Sequence, residues 1–248
     1  MSFTQRAGMD RLDVTQLRFG LFAQDDWRVT DRVTIGLGMR YEWDRFLADR
    51  NNFAPRASIA WSPDKDRKTV IRAGAGLFFD DMSVSAVTDR LWLSGGLVQE
   101  RLALQPGYVP GGVPSLGLGS VPTGRVRWAP SMRIPYLAHF SAGVERAVTR
   151  GLTANIEYSA FRGVSLLRTR DLNPPLPPVW QRPDPDLAWV RQIESSGRSR
   201  VDRVQIGVKG QAGRYFDGLV RYSLGWSRSN VEGIRRLPPD SLDLSNQW

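Results

Sequence analysis

The sequence predicts an all-β fold, an antiparallel β-barrel that crosses a membrane with strands. Three observations carry this. Long runs alternate strictly between apolar and small or polar residues, their links are short at one end and long at the other, and Trp, Tyr and Phe collect near the ends of the runs. Such a wall has one face in an apolar medium and the other in water, with amphipathic rings marking its two rims.

The clearest run covers 33–44. Val33, Ile35, Leu37, Met39, Tyr41 and Trp43 fall on one face, and Thr34, Gly36, Gly38, Arg40, Glu42 and Asp44 on the other. A period of two cannot make the stripe of an amphipathic helix. The pattern recurs at 69–79, where Ile71, Ala73, Ala75, Leu77 and Phe79 oppose Val70, Arg72, Gly74, Gly76 and Phe78. It returns at 152–161 and at 216–227, the latter setting Val220, Tyr222, Leu224 and Trp226 against Asp217, Arg221, Ser223 and Gly225. Each clear run has a weaker partner upstream, at 17–28, 53–62, 136–146 and 201–209. About eight meander strands are therefore expected, longer than the ~5–6 residues usual in soluble proteins and close to the ~9–11 that span a bilayer at a tilt.

The links inside the pairs, at 29–32, 63–68, 147–151 and 210–215, carry the Asp, Gly, Pro and Thr of tight turns. Between pairs, 46–52 is brief, but 80–133 and 164–200 are long. Short turns on the periplasmic side and long loops outside are the asymmetry of outer-membrane barrels. The expected organisation is a lead-in at 1–16, barrel strands over 17–229 and the start of a further loop at 230–248. With no apolar stretch resembling a signal peptide near residue 1, the chain reads as a piece of a longer one. Eight strands can close a small barrel, although a loop as long as 80–133 is unusual for one. A soluble β-sandwich or propeller also alternates, but it lacks the loop asymmetry and the aromatic rims.

That orientation puts Trp27 and Trp61 at the lower membrane boundary and Tyr41, Trp43, Phe79, Tyr158 and Trp226 near the upper one. The Trp and Tyr rings suit the interface, being apolar with one polar edge. The opposite face then lines a lumen, with Arg40, Arg56, Arg72 and Arg221 expected to pair with Glu42, Asp44 and Asp217. The glycines on that face leave room for a filling domain. Asp25-Asp26 and Asp80-Asp81 read as strand-end solvation, offering partners to Arg28 or Arg72.

Composition excludes other classes. The net charge is +9, and only Lys65, Lys68 and Lys209 are lysines, so it is carried almost wholly by arginine. Those arginines are dispersed, without a basic helix or zinc motif, which argues against nucleic acid. Absence of cysteine excludes disulfides and thiolate metal sites. No catalytic or metal-binding residue can be nominated, no cofactor is implied, and an enzyme is not expected. The single histidine, His139, has no nucleophile or spaced carboxylate beside it and reads as a lumen-facing polar residue. Asp64-Lys65-Asp66 is a turn without the later ligands of a Ca²⁺ loop. Gly74-Ala75-Gly76 lies inside a strand and is no phosphate loop. Ligand contacts are expected in the long loops, which carry Trp92, Tyr108, Trp128, Trp180 and Trp189.

The words at the strand ends carry a family resemblance. Gln24-Asp25-Asp26-Trp27-Arg28 followed by Leu37-Gly38-Met39-Arg40-Tyr41-Glu42 resembles a paired motif of TonB-dependent receptor barrels. Asn52-Phe53-Ala54-Pro55-Arg56 and 71–80 resemble the strands that follow. Glu157-Tyr158-Ser159-Ala160-Phe161-Arg162-Gly163 with Asp171-Leu172-Asn173, and then 222–229, complete the order over roughly 17–229. Taken in order they are similar to the Oar-like subgroup, whose members carry a carboxypeptidase-regulatory-like domain. Ala160-Phe161 departs from the subgroup's small Gly-Ser pair, and Arg228 stands where Lys is usual.

The resemblance implies that this chain is part of a wall of about twenty-two strands in the bacterial outer membrane, filled by a plug. Ligand uptake would be coupled through that plug and TonB, with the membrane lipid outside. The alternatives are an outer-membrane structural or adhesion protein acting through its loops, and a passive porin.

Overall fold

A computed structural model describes residues 2–46, 49–80, 84–94, 97–104, 123–212 and 216–244. Tyr108 and Asp81 lie outside the described residues. In chain order the elements are β1 (Ser2–Gly8), β2 (Arg18–Thr30), β3 (Val33–Asp44), β4 (Phe53–Trp61), β5 (Thr69–Phe79), α1 (Val84–Trp92), β6 (Val98–Leu104), β7 (Thr123–Trp128), β8 (Tyr136–Thr149), β9 (Leu152–Asp171), β10 (Leu187–Ala212) and β11 (Phe216–Ser229).

The wall is the antiparallel meander β2-β3-β4-β5-β8-β9-β10-β11, built from the eight expected runs in the expected order. Among the described residues β2 pairs only with β3, and β11 only with β10, so the sheet is open.

The register gives the tilt. Ile35, Ile59, Ala73, Ala142, Tyr158, Val204 and Leu224 are successive cross-strand partners. Ile35 is two residues past the start of β3, Ala73 four past that of β5, Tyr158 six past that of β9 and Leu224 eight past that of β11. The row therefore climbs by one residue per strand. With ~3.4 Å per residue and ~4.8 Å between strands, that shift tilts the strands by about 35°, within the ~35–45° of outer-membrane barrels.

The turns are tight for local reasons. Both carboxylate oxygens of Asp64 accept the Thr69 amide at 3.1 Å, closing the link from β4 to β5. At the lower end of β10, Gly210 adopts φ +136°, and a Cβ there would collide with the Gly151 carbonyl, so only glycine suits this close approach.

The described parts of the two long segments carry regular structure. Within 164–200, β9 continues to Asp171 and β10 begins at Leu187, so the hairpin rises well past the wall. The motif Asp171-Leu172-Asn173 clips its upper end. Asp171 accepts the amides of Asn173 and Val190 at 2.9 and 3.1 Å. The buried Asn173 donates to the carbonyls of Asp184 and Leu187 and accepts the Asp184 amide, each at 2.8 Å.

The segment 80–133 supplies α1, β6 and β7. β7 pairs in parallel with the first part of β10, while β1, from the expected lead-in, pairs with β6. Ala86 and Val87 of α1 pack with Val126, Ile134, Trp189 and Ile193 into a small apolar core, the principal one among the described residues. The wall itself has no such core, because one sheet has nothing to close against.

Candidate functional site

Register sorts the wall into two faces. One carries Leu37, Met39, Phe53, Ile59, Trp61, Phe140, Val144, Ile156, Ile206, Tyr222, Leu224 and Trp226, all strongly exposed. The other carries the glycines of β3 and β5, His139, Ser141, Glu157, Ser159, Arg203, Gln205 and Ser223. Large apolar side chains left exposed in a continuous band mark a surface made for an apolar partner.

The seven charged residues read as lumen candidates share the polar face, but their pairing differs from the expected ladder. Arg40 bonds Glu42, two residues along the same strand. Asp44 takes no arginine; it is buried and accepts from Gln16 Nε2 at 2.5 Å and from the Phe46 amide at 2.8 Å. Arg72 reaches Glu145 at 4.0 Å, across to β8. Arg28 pairs with Asp31 at 3.5 Å and not with Asp25. Asp25 sits on the apolar face opposite Leu37, while Asp26 lies on the polar face opposite Gly36. Asp217 and Arg221 are exposed, opposite Gln211 and Gly207.

Arg56 has a different partner. Its guanidinium lies 4.4 Å over the ring of Phe78. Phe78 is 6.3 Å from His139, and His139 stacks on Phe161 with centroids 4.4 Å apart and planes 3° apart. Arg203 stands 6.0 Å over the far side of the row, above Phe161. Five side chains from five neighbouring strands thus form one shelf on the polar face, aromatic in the middle and cationic at both ends. Cation–π contacts of this kind contribute ~0.5–1 kcal/mol where exposed. Phe78 and Phe161 were the available signal, being aromatics on a face otherwise small or polar.

The rim aromatics occupy the apolar face. Trp61 is opposite Val33 at the turn end, with Trp27 nearby opposite Ile35. Trp43, Phe79 and Trp226 each lie ten residues past the start of their strands, a common upper level. Tyr41 is one outward position lower and packs 4.9 Å from Phe53. Tyr158 is two outward positions lower, and its hydroxyl donates to Asp202 Oδ1 at 2.6 Å. Asp202 also bonds Arg162 and Arg200, each at 2.7 Å. This charged group on the apolar face was not singled out in the sequence.

Above the wall, Glu194 is buried between Arg168 at 3.3 Å and Arg170 at 2.9 Å. Burial alone would raise its carboxyl. Hydrogen bonds from Ser196 and Gln192 and the charges of Arg170 and Arg168 instead hold it below the usual range. The loop tryptophans divide by role. Trp92 donates to the Met9 carbonyl, Trp128 to that of Ala86, and Trp189 is buried under Arg191. Trp180 is 71% exposed at the tip of the 172–186 loop. Among the described residues no group of three or more His, Cys, Asp or Glu could hold a metal ion.

Comparison with known proteins agrees with this geometry. The outer membrane beta barrel domain family matches residues 1–52 and 44–238. No curated protein matches the chain. Among solved structures, the outer membrane transporter YddB from Escherichia coli superposes with a TM-score of 0.62 at 13% identity, over 86% of this chain and 24% of that one. The FrpB iron transporter from Neisseria meningitidis gives 0.50 at 12%, over 86% and 26%. The ferric enterobactin receptor PfeA in complex with BCV-L6 gives 0.51 at 13%, over 83% and 28%. At these identities the likeness is one of fold, and the chain spans about a quarter of each transporter's length.

Proposed function

Because the chain belongs to the outer membrane beta barrel domain family, we propose that it forms part of the wall of a TonB-dependent transporter, its apolar face in lipid and its polar face toward a plug. The observation that carries this reading is the open meander. Its register climbs one residue per strand, and among the described residues both outer strands keep an unpaired edge. In a bilayer such edges must be satisfied by further strands, and wide barrels of this kind hold a plugged lumen. Arg40, Arg56, Arg72, Arg221, Glu42, Asp44 and Asp217 then meet the plug or the lumen water. The rim aromatics anchor the wall at the interfaces. Energy for uptake comes through the plug and TonB, and the extracellular hairpin and loops meet the ligand first. The Oar-like placement rests on the motif order alone.

Bilayer recordings of the whole protein, purified from outer membranes, test this against a passive pore. A plugged wall stays closed, and ligand accumulates in cells only when TonB is intact. Steady ion conductance, or uptake unchanged without TonB, would overturn the proposal.

A further inference from the structure

We propose that the extracellular rim of the apolar face holds a site for phosphate carried on a membrane lipid, built from Arg162, Arg200 and Arg228. The inference rests on the reading of that face as lipid-facing. These arginines are direct register partners on β9, β10 and β11, so their backbone positions form one row across about 10 Å, two strand spacings. Arg162 lies at the level of Trp43, Phe79 and Trp226, and Arg228 one outward position above Trp226. The row thus crosses the headgroup boundary on the long-loop side of the wall.

Asp202 organises the row without neutralising it. Its side chain accepts from Tyr158, Arg162 and Arg200. Arg162 is further fixed by the carbonyls of Phe161 and Val201 at 2.9 and 3.0 Å. One carboxylate against three arginines leaves excess positive charge, and among the described residues no carboxylate pairs with the exposed Arg228. Arg200 keeps 60% of its side-chain surface open. Directly below lie Trp226, Leu224, Val204 and Ile156, the apolar belt that acyl chains would follow. Unpaired cations on a lipid-facing surface are costly unless they meet an anion, and guanidinium forks match phosphate oxygens. Charge above and hydrocarbon below commit the site to a lipid-borne phosphate rather than a free ion.

The whole protein in detergent micelles tests this, with bis-phosphorylated lipid A as probe and the same lipid without phosphates as comparison, read by native mass spectrometry. The phosphorylated lipid should be retained selectively. Arg200→Gln with Arg228→Gln should weaken retention roughly 25-fold, about fivefold per arginine, whereas Arg146→Gln at the turn end should leave it unchanged. Heat-dependent electrophoretic mobility verifies that each variant is folded, and Arg228→Gln alone serves should the double variant fail. Equal retention of both lipids, no effect of the arginine variants, or displacement by low-millimolar inorganic phosphate would overturn the site. Quenching of the apolar-face tryptophans, Trp226 among them, by brominated acyl chains separates the two readings. Quenching without phosphate selectivity sinks the site alone; absence of quenching sinks the lipid-facing assignment too.

Discussion

The imidazole of His139 lies flat on the ring of Phe161, and the neighbouring Phe78 and the two flanking arginines extend that contact into a shelf. The chain's single histidine is thus held by an aromatic neighbour. Aromatic pairs are worth ~0.5–1.5 kcal/mol beyond the area they bury. A double-mutant cycle of His139→Ala and Phe161→Ala, followed by urea unfolding in lipid vesicles, should give a coupling in that range. Strict additivity, within the ~0.3–0.5 kcal/mol expected of independent sites, would mean the stack contributes nothing.

The wall was legible because each strand separates two solvents, and a period of two records that directly in residues such as Leu37 and Gly38. The extension of the same hairpin was not. Ser165 takes φ +56° and the register shifts between Glu194 and Ser199, so alternation breaks there and 164–200 reads as a loop. Partner choice was hidden for another reason. Arg40–Glu42 lies within one strand, but Arg72–Glu145 and the Phe78–His139–Phe161 row depend on which strands become neighbours and at what offset. No local pattern encodes that offset, and β7 reaches β10 in parallel only after a long excursion.

The register makes a sharp contrast between neighbours. Leu37 is 44% exposed on the apolar face, and Leu37→Arg should destabilise the wall by about 2–4 kcal/mol in a bilayer. Gly38 is on the polar face, where an added Cβ meets Gln24 no closer than 3.5 Å. Gly38→Ser should therefore stay within about 0.5 kcal/mol. Comparable costs from lipid-refolding titrations of the two variants would reject the face assignment.

Asn173 is 1% exposed and closes the upper hairpin with three side-chain bonds. Asn173→Ala removes these three bonds, at about 1–3 kcal/mol for a buried polar group that loses its partner, and the Asp184 carbonyl keeps only the longer bond from the Leu187 amide, at 3.4 Å. The 172–186 loop should open more often, and chymotrypsin should cut after Trp180 roughly 5- to 150-fold faster when opening is rapid. The wall should melt unchanged. An unaltered cleavage rate would show that the clip does not hold the loop.

Acid should loosen the same hairpin through Glu194. A carboxyl held below its ordinary value of 4.5 in the fold binds its proton later than it does in the unfolded chain. It therefore adds stability that is present above that ordinary value and is lost as pH falls through the lower folded value. The slope is at most one proton, about 1.4 kcal/mol per pH unit. Once neutral, Glu194 no longer offsets the positive charge of the buried Arg168 and its neighbour Arg170, so strand pairing around Arg168 and Glu194 should yield before the wall does. Amide protection factors, which remove the intrinsic pH dependence of exchange, should fall below pH 4.5 in 166–171 and 190–197 while 33–44 and 152–161 hold. Glu194→Gln should start from weaker protection at neutral pH and lose the acid step. An acid step of the same size in that variant would assign the loosening to another group.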